Sequence, residues 1–191
     1  VSYCPDCNNT GIDLEGNICH CQLNQDAFIN EAECLDIPEQ YRGIAFTSSL
    51  LPSDMGDAYK RAMQEIYDSI VSRKMKFKNM VICSPQSRGK TIMVYSIIQS
   101  LFRRDVPIFP LYDVLEVKRM LMDMDFNRKS LYDIKDPMVL LTCPYLFIKV
   151  PPSTTFEVYE TMYTIIDRRV RRGNSTLFIY NGSWEQLTYN D

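Results

Sequence analysis

At 191 residues the chain is long enough for one domain with a hydrophobic core and a small appendage. Its 46% apolar and 24% charged residues exclude a disordered or fibrous polypeptide, and a formal net charge of -3 excludes a broadly basic coat for nucleic acid. No run of about 18 apolar residues and no hydrophobic leader is present, which excludes a spanning helix and makes a cytoplasmic protein the expectation.

Of the 7 cysteines, Cys4, Cys7, Cys19 and Cys21 crowd into the opening stretch, a distribution that suits metal ligation better than disulfides. Cys4-Pro5-Asp6-Cys7 and Cys19-His20-Cys21 bracket a short loop containing Gly11 and Gly16, so two thiolate pairs can converge on one tetrahedral zinc. His20 either points away or replaces one cysteine. The same residues suit an iron–sulfur cluster, but no redox partner accompanies them, and zinc is the expectation. Residues 1–22 therefore read as a cysteine-rich module held by its metal, because so short a segment buries too little apolar surface to fold alone. Residues 23–54 read as a linker with a short helix that exits through Pro38.

Residues 55–191 read as an α/β domain. Tyr59, Met63, Ile66 and Ile70 recur at helical spacing, predicting a helix from Met55 to about Lys74 with Ser53 or Asp54 as N-cap. Then follow a strand Met80 to Cys83, a helix Lys90 to Arg103, a strand Pro107 to Tyr112 and a helix Asp113 to Met122. After a polar stretch come a strand Tyr145 to Val150, a helix Phe156 to Arg171 and a strand Thr176 to Tyr180. This alternation predicts a parallel sheet with helices on both faces.

Ser84-Pro85-Gln86-Ser87-Arg88-Gly89-Lys90-Thr91 lies between a strand and an amphipathic helix, the context in which a phosphate loop works. Backbone N–H groups of such a loop can hold phosphate oxygens, Lys90 adds positive charge near the terminal phosphates, and the Thr91 hydroxyl can ligate magnesium. Ser84, Ser87, Arg88, Gly89, Lys90 and Thr91 are thus candidate contacts to ATP or ADP, with the need for magnesium left open. Ser84 and Ser87 stand where glycine is usual, because the loop backbone uses conformations that a Cβ makes costly.

The order of these elements resembles the AAA+ replicative-helicase loaders of bacteria and phages, and the related transposition helper ATPases. The likeness is carried by Ile37-Pro38-Glu39-Gln40-Tyr41-Arg42, by Gly89-Lys90-Thr91, by Asp105 to Leu121, by Tyr159 to Arg172 and by Thr176 to Leu187. It implies a P-loop fold and a bacterial or phage-infected cytoplasm. It also implies that Tyr145-Leu146-Phe147-Ile148-Lys149-Val150 is the Walker B strand, with Lys149 and Val150 where the family carries two acidic residues. The first of those carboxylates organises magnesium and the second polarises water, and lysine and valine do neither. Lys149 joins the candidate nucleotide contacts as a second cation, either standing in for magnesium or repelling Lys90. Asn181 falls where the family carries a polar sensor, although Asn181-Gly182 is equally ordinary turn chemistry. The family's arginine finger and lid come after the position of Asp191, so a domain without the lid is expected.

Arg168, Arg169, Arg171 and Arg172 form the sharpest basic cluster, a candidate for single-stranded DNA or for a neighbouring subunit unless it is only a helix end whose dipole favours cations. The implied function is a nucleotide-binding adaptor or regulator in DNA replication with weak or no hydrolysis. Its implied partners are a replicative helicase or another loader-type protein, with self-assembly a further candidate. The alternatives are an active loader or transposition helper, drawing carboxylates from Asp113 or Glu157, and an interaction module that has lost nucleotide.

Overall fold

The computed structural model describes residues 35–72, 79–104, 106, 108–125, 138–152 and 155–188. The chain divides into two compact units, Val1–Gly43 and Ile44–Asp191, so the second begins inside the stretch expected to be linker. In the first unit Pro38 leads into a single 3-10 turn, Glu39–Tyr41, and Arg42 Nε donates to the Ile37 carbonyl at 2.9 Å. The metal module and the helix expected before Pro38 lie outside the described residues.

The second unit opens with a 3-10 turn, Ser48–Leu50, and helix α1, Asp57–Val71. Its N-cap is Gly56 rather than Ser53 or Asp54. Asp54 is otherwise engaged, its carboxylate ion-paired with Arg88. Strand β1 is Asn79–Ser84, and helix α2, Lys90–Phe102, buries Met93, Val94, Ile97, Ile98 and Leu101. Strand β2 is only Tyr112–Asp113, much shorter than expected. Pro107 and Pro110 precede it, and proline cannot donate to a ladder. Helix α3, Val114–Asp125, follows at once. It starts on a capping box: Asp113 Oδ1 accepts the Leu115 N–H at 2.9 Å while Glu116 Oε2 accepts the Asp113 N–H at 2.7 Å. A short helix α4, Met138–Thr142, was not signalled by the sequence pattern. Then come β3, Tyr145–Val150, α5, Phe156–Val170, β4, Ser175–Asn181, and α6, Trp184–Thr188.

The strand order is β1-β4-β3-β2, and every pairing is parallel. Ile148, Val150, Phe178 and Tyr180 face one side and form a core with Val117, Met120, Val158, Met162 and Ile165 of α3 and α5. By strand alternation Ile82, Phe147, Leu177 and Ile179 face the other side, and they too are buried. A sheet buried on both faces explains why its strands read as continuous apolar runs.

Candidate nucleotide site

Strand β1 ends at Ser84, and the loop returns the chain into α2, whose first residue is Lys90. Two loop residues occupy left-handed backbone, Ser87 at φ 61° and Gly89 at φ 81°. At Gly89 a Cβ would be strained and would also collide with the Leu51 side chain. Ser87 takes the same kind of conformation with a Cβ, at a cost on the order of 1 kcal/mol. Of the two serines in glycine positions, only Ser87 bears this strain.

Ser84 is buried and its hydroxyl is put to use. Lys90 turns back under the loop and is 3% exposed. Its Nζ donates to Ser84 O at 2.7 Å, to Ser84 Oγ at 2.9 Å and to Pro85 O at 2.8 Å, which uses all three ammonium hydrogens. Burial lowers the Lys90 pKa to about 8. Tyr59 of α1 adds its hydroxyl 3.1 Å from Ser84 Oγ and donates to Arg88 O at 3.2 Å. The Arg88 guanidinium meets Asp54 at 2.7 Å and holds that carboxyl below its usual range. This pair is exposed to water, so it adds little to stability. Thr91 is half-buried in the first turn of α2, where helix N–H groups and the dipole favour phosphate oxygens.

Asn181 closes β4 in register with Ser84 and so shares its face beside the loop. Neither Asn181 nor Gly182 has positive φ, so the left-handed Asn-Gly turn is absent here. Lys149 pairs with Ile179, which pairs with Ile82, and so lies on that same face two strands from β1. With about 4.8 Å between strands, its backbone stands about 10 Å to the side of β1. Lys149 is exposed, whereas Val150 is buried in the opposite layer.

The fold resembles a solved structure of DnaI. The two are 19% identical, 81% of each chain is covered, and the TM-score is 0.53. The four-stranded parallel sheet, its helices and the loop after β1 together make a P-loop NTPase fold. No protein-family model matches the chain, and no curated protein matches it. No helix among the described residues is long and apolar enough to cross a membrane.

The basic cluster is divided by the structure. Arg169 is fully buried, and its guanidinium donates to the carbonyls of Leu140, Cys143 and Ser175, to Thr176 Oγ1 and to Cys143 Sγ. The expectation that it contacts nucleic acid is therefore corrected: Arg169 ties α4, the start of β3 and the start of β4 together and has no surface to offer. The signal was in the sequence, since Val158, Met162, Ile165 and Arg169 share one helical stripe. Arg171 is exposed and pairs with Asp167 at 2.9 Å, Arg172 is exposed and donates to Arg168 O at 2.8 Å, and Arg168 is half-buried.

Cys4, Cys7, Cys19 and Cys21 lie outside the described residues, and among the described residues no group of three or more His, Cys, Asp or Glu is placed to hold a metal. Tyr59, Asp54 and Leu51 are the loop neighbours that sequence reasoning missed. Tyr59 was read as one apolar position in the α1 stripe, and nothing in spacing foretold that its hydroxyl reaches the loop.

Proposed function

We propose that the chain is a helicase-loader-like nucleotide-binding protein, an adaptor or regulator in DNA replication that acts by binding and hydrolyses ATP weakly or not at all. The observation that carries this reading is the pairing of a Lys90-Thr91 loop at the end of β1 with Lys149 on the same sheet face at the end of β3. The loop supplies what phosphate oxygens require, namely N–H groups, a helix N-terminus and an ammonium. Lys149 takes the place where the resemblance puts a metal-organising carboxylate. A missing carboxylate of this type costs on the order of a hundredfold to ten-thousandfold in rate.

The active-enzyme alternative has less support. Asp113 lies in register with Lys149, three strands from β1 and thus about 14 Å from it, and its Oδ1 is taken by the α3 cap. Glu157 is on α5, which packs against the other sheet face, and its carboxylate meets Lys118 at 2.9 Å. The saturated ammonium of Lys90 favours a second reading, an interaction module whose loop no longer takes nucleotide.

The loader part of the proposal rests on the sequence resemblance and on the likeness of fold to DnaI. A replicative helicase or another loader-type protein is the partner it implies, with single-stranded DNA meeting Arg168, Arg171 and Arg172. Zinc on Cys4, Cys7, Cys19 and Cys21 would give the opening segment a fixed shape for that partner. Equilibrium binding of ATP and ADP with and without magnesium tests the central claim. Binding that needs little magnesium, is lost in Lys90→Ala and is accompanied by near-background turnover is expected. Robust magnesium-dependent turnover abolished by Lys90→Ala would replace this reading with the active loader.

A further inference from the structure

We propose that Ser84 and Tyr59 are positioning residues that hold Lys90 turned into its own loop, so that the phosphate site stays closed until an incoming phosphate displaces the lysine. The inference rests on the nucleotide reading of the same loop and concerns how that loop is regulated. Its basis is a chain of hydrogen bonds. The Tyr59 hydroxyl lies 3.1 Å from Ser84 Oγ, where either oxygen can donate, and 3.2 Å from the Arg88 carbonyl, while Ser84 Oγ also has the Pro85 carbonyl at 3.5 Å as an acceptor. Ser84 Oγ in turn accepts from Lys90 Nζ at 2.9 Å. The chain runs from the ammonium through two hydroxyls to the Arg88 carbonyl, and it joins both ends of that loop to α1.

A glycine at position 84 could offer Lys90 a carbonyl but no hydroxyl. The serine hydroxyl therefore contributes one acceptor of three, charge-assisted and buried, and it recruits the tyrosine. A phosphate must compete with these acceptors for the same three hydrogens. The exposed Arg88–Asp54 pair stands outside this chain and contributes little to the closure. Tyr59 touches the lysine only through Ser84, so its removal should open the loop less than removal of the serine hydroxyl.

Two measurements on the full chain test the proposal. In Ser84→Ala, ATP or ADP should bind about tenfold more tightly, the worth of one charge-assisted hydrogen bond no longer competed for. Tyr59→Phe should give a smaller gain of the same sign. A purely structural role would predict weaker binding in both. The second measurement needs no nucleotide: the rate at which an amine-reactive acetylating reagent modifies Lys90, read by mass spectrometry against exposed Lys149 in the same molecule. Lys90 should be protected in the parent chain and should label several-fold faster in Ser84→Ala. Unchanged labelling in both variants, or unchanged or weaker nucleotide binding by folded Ser84→Ala where the parent binds, overturns the latch. Faster labelling with no nucleotide bound by any variant would instead remove the nucleotide reading and leave the closed loop standing.

Discussion

Among the described residues two cations are buried, and they sit at opposite ends of the sheet. Lys90 lies under the loop at the ends where β1 and β4 finish, and Arg169 lies where β3 and β4 begin. Both are satisfied mainly by main-chain carbonyls rather than by carboxylates. The difference lies in what surrounds them. Arg169 spreads a rigid fork over acceptors from three separate segments, and the neighbouring Cys143 thiol, its pKa raised by burial, stays neutral. Lys90 holds acceptors from two adjacent loop residues at the end of a flexible stem. The first arrangement is built to stay, and the second can be exchanged for a ligand.

The largest effect should come from Arg169→Ala, which would strand the Leu140, Cys143 and Ser175 carbonyls in the core. We expect a loss of about 3 kcal/mol or more in urea unfolding. Arg169→Lys should recover only part of it, since an ammonium cannot span the fork. A loss below about 1 kcal/mol for Arg169→Ala would erase the distinction between the two cages.

Next comes Lys90→Ala, which should abolish nucleotide binding yet change stability by less than about 1 kcal/mol, because water can reach the freed loop carbonyls. If it destabilises as much as Arg169→Ala, the lysine is structural too.

The pH dependence sharpens the same contrast. Desolvation holds the unliganded Lys90 at a pKa of about 8, and a phosphate favours its charged form. Binding above pH 8 must therefore take up a proton at Lys90, so affinity should fall as pH rises from 8, by at most about tenfold per unit, whereas between pH 6 and 7 the lysine adds no dependence of its own. Isothermal titration in buffers of different ionisation enthalpy would read the proton uptake directly. Flat affinity up to pH 10 would place the lysine away from the phosphate.

The smallest effect is expected from Lys149→Asp, an exposed position. It should convert magnesium-indifferent binding into magnesium-assisted binding by a few-fold, because an oxygen ligand replaces a cation on the loop's face of the sheet. Identical magnesium dependence in parent and variant would remove Lys149 from the site.

Much of the sheet was legible because doubly buried parallel strands are runs of apolar residues; β3 falls at Tyr145–Val150 as the pattern predicts. Strand β2 was not, since the prolines before it remove ladder donors and Asp113 belongs both to the strand and to the α3 cap. The loop was legible from Gly89-Lys90-Thr91 after a strand, but the direction of Lys90 was not. That direction follows the fold of the loop, which turns the Ser84 and Pro85 acceptors toward the ammonium and is braced by Tyr59 from a helix distant in sequence. Charge alone places Arg169 on the surface, whereas helical phase, marked by Val158, Met162 and Ile165, places it inward.

The sheet order also bears on when the site can exist during synthesis. Strand β1 carries the loop, and its described partner is β4, so Asn79 waits for Thr176 and Ser84 for Asn181. A nascent chain that has emerged only through α5 holds the complete Ser84 to Thr91 motif, but lacks the described partner that fixes the end of β1. Such distant pairings form late and slowly. The loop can therefore gain its fixed end, and with it any affinity for nucleotide, only after β4 has been made and paired, however early the Ser84 to Thr91 motif emerges.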